Sequence, residues 1–266
     1  MAALSFPDLD PVAFALGPLE VRWYGLAYVA GFALAAAILH RLNRRWQVGL
    51  TLDQEVDIVL AAVIGLVVGA RLGYVLFYGG SEYLRHPLRI LETWQGGMSF
   101  HGGLVGILLA GWFMSRRLGV PFLRLADLGA VGAPVGLFLG RLSNFVNGEL
   151  WGRVTTVPWG VVFPGAGPLP RHPSQLYEAL LEGVVLFAVM VVLSRVRRPD
   201  GMMLGTLLAL YGIFRIFVEF FREPDVQLGF VAGPFTMGQV LSVPMVIAGA
   251  LLVFAAHRRG RNAQEG

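Results

Sequence analysis

LGAVGAPVGLFLGRLSNFVNGELWG, residues 128–152, begins as an unbroken apolar, glycine-rich run and ends in Arg141, Asn144, Asn147 and Glu149. The first half suits a helix in lipid or in a protein core. The second half concentrates hydrogen-bonding and charged groups within nine positions. A link between two apolar segments needs only small turn-forming residues. A helix C-terminal turn with Asn in the left-handed conformation would account for one of these asparagines. It leaves the arginine, the second asparagine and the glutamate without a reason.

The rest of the chain supports the lipid reading. Of 266 residues, 56% are hydrophobic and only 14% charged, whereas soluble domains carry roughly 25% charged residues. The chain is therefore too poor in charge to solvate a globular surface, and an integral membrane protein is the expectation. It has no cysteine, which excludes disulfides, thiolate metal sites and a cysteine nucleophile. Any thiol in its chemistry belongs to a substrate. All 21 basic residues are arginine, so lysine Schiff-base chemistry is excluded too. The first ten residues, MAALSFPDLD, contain acids and no basic n-region, and do not read as a cleaved signal peptide.

A helix needs about 20 mostly apolar residues to cross the hydrocarbon layer. Seven segments qualify: 23–40, 57–78, 98–114, 121–140, 175–194, 202–221 and 233–256. The third starts in the polar, glycine-rich GGMSFHGG (96–103). The links are of two kinds. HRLNRRW (40–46), SRRLG (115–119), SRVRRPDG (194–201) and HRRGRN (257–262) are short and basic; 79–97, 141–174 and 222–232 are mostly longer and rich in Gly, Pro and aromatics. The basic links and their flanks put Arg41, Arg44, Arg45, Arg116, Arg117, Arg124, Arg195, Arg197, Arg198, Arg258, Arg259 and Arg261 on one side. Those twelve outnumber the seven opposite (Arg22, Arg85, Arg89, Arg141, Arg153, Arg171 and Arg222). The positive-inside rule assigns the richer side to the cytoplasm, which puts the N-terminus outside, the C-terminus inside and residues 140–152 outside. The expected architecture is an all-α polytopic membrane protein, one integral membrane domain over 1–266. Between spans four and five it carries a small extracytoplasmic cap of strands and turns, 141–174. Most glycines within spans read as close helix packing, and no internal repeat is evident.

Ionisable residues inside spans usually face the bundle interior or a wet cavity. Tyr211, Arg215, Glu219 and Arg222 are spaced i, i+4, i+8 and i+11, which places them on one helical face. An Arg215–Glu219 ion pair would hold helices together; two arginines, a tyrosine and an acid on one stripe exceed that need and suggest a polar cleft. Asp127 and Arg71 read as structural groups. Glu178 and Glu182, one turn apart, are equally consistent with packing and with a site. His101 lies between Phe100 and two glycines at the outer start of span three. A histidine near an interface is often only hydrogen-bonded, but the glycines leave this ring open and imidazole accepts protons near neutral pH. His172, before a proline at the start of span five, suits a structural role at least as well.

The five histidines lack zinc-site spacing, and no phosphate-binding glycine loop or nucleophile elbow is present, so neither a metal nor a cofactor is expected. Arginine grips phosphate through paired, charge-assisted hydrogen bonds. Arg141, Asn144 and Glu149, with Arg215 and Arg222, therefore suit a phospholipid headgroup, and a displacement in which phosphate leaves.

The motifs together resemble one family. GRLSNFVNGELWG matches the signature of the bacterial prolipoprotein diacylglyceryl transferases almost position for position. RWYGLAY (22–28), GGMSFHGGL (96–104), RHPSQLYEA (171–179) and LYGIFRIFVEFFREPD (210–225) are similar to its other landmark stretches, in order and along essentially the whole chain. The resemblance implies seven spans and a site open to the outer leaflet of the bacterial plasma membrane. It also implies transfer of diacylglyceryl from phosphatidylglycerol to the thiol of a prolipoprotein's lipobox cysteine, releasing glycerol phosphate. Membrane lipid and the prolipoprotein signal peptide are then the partners, with no nucleic acid. Carried over, the family's essential histidine falls on His101, its lipid-contacting arginine on Arg141, and its N-terminal tyrosine on Tyr24. Its signature Asn and Glu fall on Asn144 and Glu149. Its later Tyr, Arg and Glu fall on Tyr211, Arg215 and Glu219, with Arg222 close behind. His101, Arg141 and Arg215 are the expected catalytic groups, and Tyr24, Asn144, Glu149, Tyr211, Glu219 and Arg222 join Arg141 in binding substrate. The thiol's base stays open between His101 and a thiol acidified by the arginines. Two further classes compete: a transporter or flippase for an anionic lipid or metabolite, and a phospholipid hydrolase using water in place of the thiol.

Overall fold

The computed structural model describes residues 4–17, 19–78, 80, 82–93, 96–224 and 229–265. Long helices dominate: α1 (Trp23–Trp46), α2 (Leu52–Tyr78), α3 (Phe100–Leu118), α4 (Phe122–Val146), α5 (Ser174–Leu193), α6 (Met202–Val218) and α7 (Met237–Glu265). Among the described residues, α1, α2, α4, α5 and residues Met237–Asn262 of α7 are long and apolar enough to cross a membrane. The apolar α6 is shorter, at 17 residues. Large apolar side chains stand exposed along these helices, including Leu60, Ile64, Val68 and Leu76 of α2 and Val243, Ile247, Leu251 and Phe254 of α7. Water would not tolerate such faces, and lipid accepts them. The chain is a multi-pass membrane protein.

The helix ends depart from the expected spans in instructive ways. α1, α3 and α4 run on past 40, 114 and 140, because the hydrogen-bond ladder does not stop where hydropathy does. The added turns of α1 and α3 carry Arg44, Arg45, Arg116 and Arg117, favourable at the negative end of a helix dipole. α2 starts at Leu52 with a reciprocal cap. Thr51 N–H donates to Gln54 Oε1 at 3.0 Å and Gln54 N–H to Thr51 Oγ1 at 3.3 Å. Residues 141–146, expected in the cap, are the last turns of α4. α6 stops at Val218, short of 221.

The chain divides into two compact units, Leu39–Ala126 and Met1–Ile38 with Asp127–Gly266. In the first, α2 and α3 cross backbone to backbone. A Cβ on Gly65, Gly69, Gly73, Gly102 or Gly106 would run into the facing helix, so these glycines permit the approach. Arg71 of α2 is 5% exposed and directs its guanidinium at five backbone carbonyls. They are Ile90 (2.8 Å), Gly96 (2.6 Å), Gly97 (3.1 Å), Arg89 (2.6 Å) and Glu92 (3.3 Å). One side chain thus organises a segment whose regular structure, among the described residues, is limited to short helical turns. Ser99 caps α3, accepting from Gly102 N–H at 3.2 Å, and presents His101 in the first turn. The His101 ring is exposed and edge-on to Phe100.

In the second unit a hairpin, β2 (Val12–Leu16) with β3 (Leu19–Arg22), runs directly into α1, and β1 (Leu4–Ser5) pairs in parallel with β4 (Val161–Val162). After α4 the chain carries the two-residue β4, isolated bridges and turns. Arg171 bridges both Val154 and Val161, and Phe6, Phe145, Trp151 and Phe163 pack ring against ring. Buried Asp127 caps α6 from a distance. Its carboxylate accepts from Gly201 N–H at 2.7 Å and Leu204 N–H at 2.8 Å, the structural role the sequence suggested.

Candidate functional site

Glycine decides how closely α5 approaches α4. A Cβ on Gly183 would strike Phe138 Cβ at 2.7 Å. Around that contact α5 changes its winding: Ser174–Glu178 is α-helical, Ala179–Val185 is π-helical, and regular winding resumes at Leu186. A π segment is uncommon and recurs at functional sites. It starts immediately after Glu178 and contains Glu182, and both carboxyl groups are 0% exposed.

Three arginines converge on this pair. Arg141 Nε of α4 lies 2.8 Å from Glu178 Oε2, and Arg215 Nη1 of α6 donates to Glu178 Oε1 at 2.5 Å. Arg222 Nη1 donates to the same oxygen at 3.0 Å. Arg215 Nη2 also pairs with Glu219 Oε2 at 3.0 Å. Glu182 is held more loosely, 3.6 Å from Arg141 Nη2 and 3.9 Å from Arg215 Nη1. Arg222 is not on the helical stripe its spacing suggested. Past the end of α6 its backbone bridges Gly152, where a Cβ would collide with Phe221 O and His172 O. Its guanidinium still returns to Glu178.

The loop after α4 is built around Glu149. Its Oε1 accepts from Asn144 Nδ2 at 2.9 Å and from Asn147 Nδ2 at 3.2 Å. Arg141 Nη1 and Asn144 Oδ1 are 3.5 Å apart, the outer limit of a hydrogen bond. Leu150 adopts φ 59°, a left-handed conformation that costs a non-glycine residue roughly 1–2 kcal/mol. Two fully buried side chains at the start of α5 hold it there. Ser174 Oγ donates to Leu150 O at 3.0 Å, and Gln175 Nε2 to Glu149 O at 2.5 Å.

Tyr211 sits a turn before Arg215, within the field of Arg141, Arg215, Glu178 and Glu182. Tyr24, at the start of α1, is exposed, with its hydroxyl 3.4 Å from that of Tyr28; the charges of Glu149 and Arg141 act on it. His101 belongs to the other compact unit. His172 Nδ1 lies 3.1 Å from the Tyr177 hydroxyl, and partial burial lowers its pKa.

Of the expected site residues, the structure gathers Arg141, Arg215, Glu219 and Arg222 into one ion-pair network, and Asn144 and Glu149 into the adjoining loop. It also adds Glu178, Glu182, Ser174 and Gln175, which the sequence reading did not place in the site. Two glutamates a turn apart in an otherwise apolar helix were the available signal. Arg141 and Arg215 retain side-chain exposures of 18% and 13%. Their guanidinium groups are oriented by carboxylates, and side chains that keep this partial exposure suit an anionic, phosphate-bearing ligand.

A family model described as prolipoprotein diacylglyceryl transferase matches residues 11–255. Three relatives carry the name phosphatidylglycerol–prolipoprotein diacylglyceryl transferase. The Geobacter sulfurreducens protein is 55% identical over 256 residues, covering 96% of this chain and 98% of its own. That of Oleidesulfovibrio alaskensis is 51% identical over 261 residues, with 98% of each chain covered. That of Coxiella burnetii is 52% identical over 260 residues, covering 96% of this chain and 98% of the relative.

Proposed function

Because the chain belongs to the prolipoprotein diacylglyceryl transferase family, we propose that it transfers the diacylglyceryl group of phosphatidylglycerol to the lipobox cysteine thiol of prolipoproteins, releasing glycerol phosphate. This is the first step of lipoprotein maturation. The observation that carries the reading to particular residues is the convergence of Arg141, Arg215 and Arg222 on buried Glu178. Fixed guanidinium groups stabilise charge on a departing phosphate without reorganising during the reaction.

The thiol sulfur attacks the glyceryl carbon that bears the phosphodiester oxygen. The carbon–oxygen bond breaks, its electron pair leaves with the phosphate, and His101 takes the thiol proton. Arg141 and Arg215 act on the phosphate. Tyr24, Asn144, Glu149, Tyr211, Glu219 and Arg222 bind or orient the lipid. The two asparagines on Glu149 and the strained Leu150 support this role for the loop, since a conformation held against strain marks sites that must be preorganised. The topology that accompanies the reading has seven spans, the N-terminus outside, and residues 147–174, beyond the last turns of α4, forming a cap over a site open to the outer leaflet. Helices α3 and α6, with the arginine-rich ends of α1 and α3, support it.

Incubating the purified protein with phosphatidylglycerol and a lipobox peptide tests the proposal. Thioether-linked peptide and glycerol phosphate in equal amounts are expected. Glycerol phosphate without peptide modification would show a hydrolase, and lipid binding without chemistry a transporter.

A further inference from the structure

Glu182 is the buried carboxyl group that the arginine network leaves least satisfied. Both of its oxygens lie out of contact with water and accept no hydrogen bond. The nearest guanidinium nitrogens, at 3.6 and 3.9 Å, belong to arginines whose shorter contacts go to Glu178 and Glu219. Glu178 lies one turn away on the same helix. The charged groups that act on Glu182 are Arg141 from α4, Glu178 from α5 itself, and Arg215 and Arg222 from α6 and the residues after it. Glu219 pairs with Arg215, and Tyr211 lies within the field of Glu182.

A fully buried carboxylate without a hydrogen-bond donor, beside a second carboxylate, is costly to keep ionised, and such a group commonly takes up a proton. The charge count reinforces the geometry. With all three carboxylates ionised, Glu178, Glu182 and Glu219 cancel Arg141, Arg215 and Arg222. With Glu182 neutral, the cluster keeps one positive charge, equal and opposite to that of a single phosphodiester.

We propose that Glu182 carries a proton in the resting site, and that this proton gives the arginine cluster the net positive charge that selects a phosphodiester monoanion. The proposal deepens the transferase reading and rests on it. Glu182 then sets the charge of the site without touching the reacting atoms, and loss of its proton expels the lipid.

Binding of dihexanoyl phosphatidylglycerol to the solubilised protein, without peptide, isolates this effect from ionisation of the thiol. Wild-type affinity should fall as pH rises, by about tenfold for each unit above the point where one proton leaves. Glu182→Gln, an isostere of the protonated acid, should remove that fall. Infrared spectra of the wild type at neutral pH should contain a protonated-carboxyl band that is lost in Glu182→Gln and moved in Glu182→Asp. If Glu182→Gln does not fold, the aspartate variant still assigns the band. A band insensitive to both substitutions, no band at all, or the wild-type pH dependence persisting in Glu182→Gln overturns the proposal. A wild type that yields no thioether product instead defeats the transferase reading itself, whereas product formation with pH-independent lipid affinity defeats only the proton.

Discussion

Arg141 and His101 carry the two most direct tests of the proposed chemistry. Arg141 meets Glu178 at 2.8 Å, so Arg141→Ala removes both the proposed phosphate contact and one of the three arginines that hold buried Glu178. Losing a charge-assisted contact costs roughly 1.5–3 kcal/mol, so turnover should fall by about one to two decades while the protein still inserts. Arg141→Lys should recover only part of it, because an ammonium cannot engage a carboxylate and a phosphate with one planar fork. Steady-state rates with phosphatidylglycerol and the lipobox peptide decide the matter, and full activity in Arg141→Ala removes the residue from leaving-group stabilisation. For His101, exposed in the first turn of α3, the expectation is normal lipid affinity and slow turnover in His101→Gln, with part of the rate recovered at higher pH. Free thiols ionise near pH 8.5, and a thiolate needs no base. Weakened lipid binding without recovery would make His101 a binding residue.

At the scale of elements, helix approach is the controlled quantity. Gly106→Val places two methyl groups and a Cβ against Gly65 and Gly69 backbone. Overpacking costs typically 1–3 kcal/mol, and backbone cannot yield as a side chain does, so α2 and α3 should separate. The thermal midpoint in detergent should drop and turnover with it. Gly129→Ala, with nothing within 4 Å of the added Cβ, is the matched control and should leave both intact. Among the described residues, hydropathy located the long helices, yet it misjudged their ends. Thr51 and Gln54 start α2 before its apolar run, and the arginines that end α1 and α3 are still helical, because caps and backbone ladders set those limits. The π segment Ala179–Val185 had no sequence signal; it lies where Gly183 of α5 meets Phe138 of α4.

For the whole molecule, the proposed orientation predicts reporter results. Fusions after residues 48, 118 and 199 should report cytoplasm, and fusions near 90, 160 and 228 the outside. A reporter near 160 that reads cytoplasmic would place the loop after α4, and the arginine cluster beside it, on the wrong side for an outer-leaflet lipid.

What the sequence determined by itself was local or compositional. Scarce charge and long apolar runs mark a multi-pass membrane protein, and spacing puts Tyr211, Arg215 and Glu219 on one face, because hydropathy and helical period act between near neighbours. The Arg215–Glu219 pair forms as that spacing requires. The tertiary structure decided the partners that come from different elements. Glu178, silent in the sequence as to role, collects Arg141, Arg215 and Arg222 from 37, 37 and 44 residues away. Asp127 caps a helix 74 residues on, and Arg71 finds its carbonyls between Arg89 and Gly97. No local pattern encodes these bonds, since hydropathy and helical period act between near neighbours, whereas these partners meet only once distant elements have packed together.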